Sequence, residues 1–358
     1  MKQLTIQSSQ RSYPIVMEAG LRFDLKKWLK SDYSSILIIT DEKIADKYLQ
    51  DVTESLGDTD IYTYIAPSGE ASKSIEQYYK LQTKAIESGL DRKSLIIALG
   101  GGVIGDLGGF VAATFMRGID YVQMPTTILA HDSSVGGKVA INHEAGKNLI
   151  GCFYPPAAVL YDTETLASLP YREIRSGYAE ILKEGFISDI HLTEELLALS
   201  LEQVSSAQLE NHLEAGIKVK ANIVEEDEKE SGVRKYLNLG HTLGHAFEAT
   251  LGYGKVTHGE AVANGMLFAL HVSEDVAGKK LPFNELYNWM KRNAYPIIDI
   301  EEESIPKLIK SMKSDKKSVS GHIQMVLLNK VGEPTVKNLD DSSVEAYIKT
   351  YIERMNKR

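Results

Sequence analysis

Residues 35–39, 61–65, 95–99, 121–124 and 159–161 are short runs rich in β-branched and apolar residues, separated by stretches with helical periodicity. That alternation predicts a mostly parallel sheet covered by helices. Its punctuation is regular: the helix predicted over residues 74–88 follows capping candidates Ser72 and Ser74 and stops at Gly89. After Pro170 the rhythm changes. Helical patterns run over residues 173–187, 205–226, 238–251, 259–277 and 344–356, and strand-like alternation returns only over 322–328 and 333–337. With 358 residues, 43% of them hydrophobic, the chain is long enough for two cores. The expected organisation is an amino-terminal Rossmann-like α/β domain over residues 1–165 and a mainly helical domain over residues 166–358.

The formal net charge of -9 gives no electrostatic reason to gather on nucleic acid or an anionic membrane, so an anionic ligand must be held by local basic residues. The single cysteine, Cys152, rules out an internal disulfide and fits a reducing compartment; it reads as a small buried hydrophobe rather than a nucleophile. The amino terminus lacks a basic stretch followed by an apolar core, and the longest apolar run falls well short of the roughly 20 residues that span a bilayer. A cytoplasmic protein without membrane contact is expected. The acidic runs over residues 225–230 and 301–303 read as solvated surface.

Two segments carry chemistry. The run at 95–99 is followed by Gly100-Gly101-Gly102-Val103-Ile104-Gly105-Asp106 and then a helical pattern. Glycines there let a diphosphate approach the backbone, and the helix start offers free N–H groups. A tight turn with close helix packing explains the same glycines, and the motif follows about the third strand instead of the first. Asp41, Glu70, Lys73, Thr126 and Thr127 at the same edge favour a dinucleotide, with Asp41 suited to ribose hydroxyls.

Further on, His241 and His245 stand one helical turn apart and His258 opens the next helix. Imidazoles with a carboxylate suit zinc, and three protein ligands leave a position open for substrate. Histidine pairs at this spacing also occur on ordinary helices, so spacing leaves the site open. Glu180 and Lys183, three apart on a helix, read by themselves as an exposed ion pair.

Several segments match a known family in order: Pro67-Ser68-Gly69-Glu70 with Lys73, the glycine run from Gly100, Pro125-Thr126-Thr127, Asp132 through Gly136-Gly137-Lys138, and Gly146-Lys147-Asn148. They continue with Gly177 to Lys183, Asn238 to His245, His258-Gly259-Glu260, and Asp315-Lys316-Lys317. Together they resemble the 3-dehydroquinate synthase family of sugar-phosphate cyclases. The resemblance implies a homodimer that binds NAD in the amino-terminal domain and zinc, or cobalt in its place, in the helical domain, with catalysis in the cleft between them.

Carried over by position, the metal ligands are Glu180, His241 and His258, and His245 belongs to proton transfer. Lys138, Asn148, Asn238 and one of Lys316 or Lys317 surround a phosphate, with Arg117 contributed by the other subunit. Lys220 and Arg234 hold a carboxylate, and Asp132 and Lys183 contact hydroxyls beside the metal. NAD falls to Asp41, Glu70, Lys73, Gly101, Gly102, Val103, Asp106, Thr126, Thr127, Lys138 and Lys147. The implied substrate is 3-deoxy-arabino-heptulosonate 7-phosphate. A polyol dehydrogenase of the same fold is the rival reading; it needs metal and NAD but not the phosphate and carboxylate residues.

Overall fold

The computed structural model describes residues 1–29, 31–252, 254–314 and 322–358. The chain divides into two compact units, Met1–Leu169 and Pro170–Arg358.

The first unit is built on strands β1 (Lys2–Ile6), β2 (Tyr13–Glu18), β3 (Ile36–Asp41), β4 (Ile61–Ala66), β5 (Leu95–Gly100), β6 (Asp120–Pro125) and β9 (Ala158–Asp162). They form one seven-stranded sheet in the order β1-β2-β9-β6-β5-β3-β4, parallel except for the β1–β2 pair. Helices α1 (Ile75–Glu87) and α2 (Gly102–Thr114) connect strands, and Ser74 caps α1 through its hydroxyl. The central strands carry continuous apolar runs, Ile36 to Ile39 on β3 and Leu95 to Leu99 on β5, because both faces are covered. Leu37, Ile39, Ile96 and Ala98 pack towards α1 and α2, while Ile36, Ile38, Leu95 and Ile97 pack with Leu25, Tyr48 and Val52.

Strand order reverses between β3 and β5. From β3 the chain steps outward to β4 at the edge, then returns to place β5 on the other side of β3. In open α/β sheets the crevice beyond the strand ends at such a reversal is where ligands bind. The β3 end carries Asp41 and the β5 end carries the glycine turn.

A separate antiparallel hairpin, β7 (Lys138–His143) with β8 (Gly146–Phe153), packs against α2. Neither this hairpin nor β1 and β2 was expected. β2 contains Pro14, which weakens a strand signal, and β8 is exposed along most of its length, so packing imposes no pattern on it. Cys152 lies on β8 and is exposed, which corrects its reading as a buried residue.

The second unit consists of helices α3 (Tyr171–Ser188), α4 (Ile190–Ala198), α5 (Ser206–Glu226), α6 (His241–Leu251), α7 (His258–Ala277), α8 (Phe283–Arg292), α9 (Ile305–Ser314) and α10 (Asp341–Asn356), with hairpin β10 (Ile323–Lys330) and β11 (Glu333–Leu339). α7 is the central rod: Ala261 to Leu270 are all buried, and α3, α6, α8, α10 and β10 pack around it. Its start is fixed by a capping box between Thr257 and Glu260, a device worth on the order of 1 kcal/mol. No described helix is long and apolar enough to cross a membrane.

Candidate active site

Three histidines meet at the start of α6 and α7. One ring nitrogen from each of His241, His245 and His258 lies within 4.8 Å of the other two. A fourth group enters from α3, where Glu180 Oε1 lies 3.5 Å from His241 Nε2 and 3.4 Å from His258 Nε2. Zinc bonds of about 2.0–2.2 Å to nitrogen and oxygen give tetrahedral edges of about 3.4 Å, so Glu180 Oε1 already stands at metal-ligand spacing from both imidazole nitrogens. Either trio satisfies proximity. The one containing Glu180 supplies the anionic donor that stabilises a divalent cation in a buried setting, which an all-imidazole set lacks. Glu180 and Lys183 are each 1% exposed and bonded to each other, so the pair is part of the interior, in contrast to the surface reading their spacing alone suggests.

The electrostatics separate the two Glu180-facing imidazoles. Burial, helped by the charge of Lys183, holds His241 well below its ordinary pKa, so its ring is neutral. Burial also opposes charge on His258, but the carboxylates of Glu248 and Glu180 outweigh it and raise that imidazole to about 10. Glu248 Oε2 accepts from His258 Nδ1 at 3.1 Å. The sequence reading missed Glu248, although it stands one turn beyond His245 on the same helix face.

Backbone contacts set this geometry. A Cβ built on Gly259 would lie 2.0 Å from Ser176 O, so α7 rests directly on the α3 main chain beside His258. Ser176 Oγ accepts the Gly259 N–H at 3.1 Å. Glu260, next in sequence, receives Arg175 at 2.7 Å and Arg172 at 3.3 Å. On the other side, a Cβ on Gly265 would lie 1.8 Å from Gly240 O, bringing α7 against the turn that precedes His241. α3 is anchored on its far face as well: Tyr178 Oη and His212 Nδ1 are 3.0 Å apart, and His212 Nε2 meets Glu195 at 3.1 Å.

The expected anion-binding residues of this unit sit around a 3-10 turn, Val233–Asn238, that packs on α3 and α5. Arg234 is 1% exposed and donates to Glu228 O at 2.5 Å; Lys220, on α5, is also buried. Asn238 donates to Glu230 at 3.1 Å. Asp227 accepts the backbone N–H groups of Ser231, Gly232 and Arg234 at 2.6–3.0 Å, which shapes the loop that presents Arg234. The acidic run over residues 225–230 is therefore partly structural, not merely a solvated surface. Lys316 and Lys317 lie outside the described residues.

In the first unit, Gly101 caps α2 with no side-chain hydrogen bond, leaving first-turn N–H groups to a ligand. Thr40 at the end of β3 and Thr126 just after β6 flank the glycine turn; both are buried, and among the described residues neither hydroxyl has a hydrogen-bond partner. Together with Asp41, these donors fit a dinucleotide at the reversal of strand order. The glycines divide their work. A Cβ on Gly105 would find its nearest neighbour at an ordinary 3.5 Å, whereas one on Gly109 would meet Val139 at 2.4 Å. Close packing of α2 thus rests on Gly109 and not on Gly105.

Asp41 Oδ1 accepts from Ser68 at 2.8 Å and from the Lys43 N–H at 3.0 Å. Lys73, 4% exposed, joins Asp106 at 2.6 Å to Asn148 at 2.5 Å, and Asn142 links Glu70 with the Asn148 N–H. These bonds tie the loop after β4 and the first turns of α2 to the hairpin. Val103 is in that first turn, Thr127 accepts from Ala130 N, Asp132 lies in the short helix Ala130–Ser133, and Lys147 is half-buried on β8. Lys138 and Arg117 are exposed, Arg117 in a turn where Met116 and Arg117 both have positive φ.

Family models for the 3-dehydroquinate synthase N-terminal and C-terminal regions match residues 63–176 and 177–318. The chain belongs to the 3-dehydroquinate synthase family. A curated 3-dehydroquinate synthase from Oceanobacillus iheyensis is 59% identical over the full length of both chains, and one from Geobacillus kaustophilus is 48% identical over 97% of each. Among solved structures, a 2-deoxy-scyllo-inosose synthase complexed with carbaglucose-6-phosphate, NAD+ and Co2+ superposes with a TM-score of 0.86 at 26% identity, covering 98% of this chain and 99% of its own. The 3-dehydroquinate synthase fold is thus a mixed, mainly parallel α/β unit followed by a helical one.

Proposed function

We propose that the chain is an NAD- and zinc-dependent lyase, with cobalt able to replace zinc. It converts 3-deoxy-arabino-heptulosonate 7-phosphate to 3-dehydroquinate and phosphate, an early step of aromatic amino acid biosynthesis, and acts as a cytoplasmic homodimer. The observation that carries the proposal is the meeting of Glu180 Oε1 with His241 and His258 at 3.5 and 3.4 Å, in a chain with full-length relatives of that activity. The cobalt- and NAD+-bound cyclase relative supports the same pair of cofactors.

When bound, the metal polarises a substrate hydroxyl and the nicotinamide takes up and returns a hydride, so no net NADH accumulates. Glu180, His241 and His258 hold the ion. Lys183, bonded to Glu180, reaches a substrate hydroxyl from the same side, and Asp132 meets another. Arg234 grips the substrate carboxylate with a bidentate fork, aided by Lys220. Lys138, Asn148, Asn238, one of Lys316 or Lys317, and Arg117 of the partner subunit receive the phosphate. The departing phosphate acts as base in its own elimination, assisted by His245 or a bound water. Asp41, Glu70, Lys73, Gly101, Gly102, Val103, Asp106, Thr126, Thr127, Lys138 and Lys147 bind the dinucleotide.

Incubation with the heptulosonate phosphate, NAD and zinc tests this directly. Phosphate and the carbocyclic product should appear in equal amounts without net NADH, and a chelator should stop both. Steady NADH formation from a polyol, with no phosphate released from the heptulosonate, would instead establish the dehydrogenase reading.

A further inference from the structure

Glu248 lies outside the proposed ligand set and outside the motifs that carry the family resemblance. Its side chain is 8% exposed, on α6, and Oε2 stands 3.1 Å from His258 Nδ1. The other nitrogen of that ring, Nε2, faces Glu180 Oε1 at 3.4 Å. A neutral imidazole carries a single N–H. With a carboxylate acceptor at Nδ1 the hydrogen is held there, which leaves the lone pair on Nε2, on the side where Glu180 and His241 converge.

His258 needs such a restraint more than His241 does. Its side chain is 30% exposed against 11% for His241, whose Nδ1 is already set against Leu239 O at 3.3 Å. Packing around His258 therefore leaves more rotational freedom, and the Glu248 hydrogen bond is a directional constraint on it.

We propose that Glu248 is a positioning residue of the metal centre, fixing the tautomer and rotation of His258 so that Nε2 is presented to the ion. The inference rests on the metal reading given under Proposed function. A carboxylate behind a ligating imidazole raises the ligand's basicity and holds its plane, and losing such a partner weakens metal affinity by about 10–100-fold. A carboxylate that only tied α6 to α7 would stabilise metal-free and metal-bound protein alike and leave the affinity unaltered.

The test uses full-length, metal-free E248A and E248Q. Zn2+ and Co2+ affinities are measured by competition with a chromophoric chelator, together with the Co2+ visible spectrum, NAD affinity and the melting temperature of the metal-free protein. E248A should bind either metal about 10–100-fold more weakly, with a changed Co2+ spectrum and unchanged NAD affinity. E248Q retains an oxygen that accepts the Nδ1 hydrogen and should recover most of the loss. Wild-type metal affinity in E248A overturns the proposal, with or without a fall in melting temperature, and so do equal losses in the two variants. H258A measured alongside separates the two levels. Undiminished affinity there means that the metal reading has failed, while loss in H258A with none in E248A removes Glu248 alone.

Discussion

A methyl group added at Gly259 would point into the main chain of α3, 2.0 Å from Ser176 O and 2.6 Å from Ser176 C and Cα. No side chain can rotate to relieve that clash. Restoring an ordinary contact requires α3 and α7 to part locally by roughly 1.2 Å or more. Overpacking of this kind costs about 1–3 kcal/mol, a shift in melting temperature on the order of 5 °C for a unit of this size. The metal site is far less tolerant. Glu180 lies one turn along α3 from the contact and His258 is adjacent to Gly259, so their 3.4 Å spacing would open by a comparable amount. Metal sites tolerate about 0.2 Å in ligand distance, and a misplacement of about 1 Å in a reacting centre costs about 100-fold in rate. Gly259→Ala should therefore lose about two orders of magnitude in turnover, and comparably in Zn2+ affinity, while remaining folded. Calorimetric titration of Zn2+ into metal-free protein, phosphate-release kinetics and scanning calorimetry measure the three quantities. Gly105→Ala is the control, because its nearest neighbour at 3.5 Å leaves ordinary room, and its metal affinity should equal wild type. A Gly259→Ala protein with wild-type affinity and turnover would refute the idea that this backbone contact sets the ligand spacing.

Two further outcomes follow from the site. With its folded pKa raised to about 10, His258 stabilises the metal-free protein fully below the unfolded value of about 6.5, and that contribution is lost as pH rises through 10. Metal must displace this proton, so titrations at neutral pH in buffers of different ionisation heat should return about one proton released per ion; zero release would contradict the assignment of His258 as a ligand. Arg234→Ala should reduce substrate affinity by at least about tenfold and leave NAD affinity unchanged, since a charged hydrogen bond is worth about 1.5–3 kcal/mol. Equal losses in the two titrations would count against a carboxylate grip.

The sequence made the central sheet legible because burial on both faces forces continuous apolar runs, as in Ile36 to Ile39, which alternate between two cores. β8 escaped because nothing packs on it strongly enough to impose a pattern. In the helical unit the histidine spacing announced a site but left its membership open. Glu180 reaches the histidines only through the placement of α3 on α7, a contact recorded in the sequence as one glycine among 28. Glu248 was hidden for a related reason: its partner lies on the next helix, and an acidic residue in a helix ordinarily reads as solvated. Asp227 was masked by the acidic run around it, although its backbone hydrogen bonds shape the loop bearing Arg234.

The hydrogen bond between Tyr178 and His212 acts as an angular key for α3. Greasy contacts resist the separation of helices but tolerate slow rolling about their axes, whereas a buried directional bond holds one azimuth. Tyr178 and Glu180 are two residues apart, about 200° around the helix, so keying one side aims the other. Burial pushes the Tyr178 phenol up in pKa, so its proton stays in place throughout the neutral range. The direction in which Glu180 points is thus indexed from the far flank of its own helix.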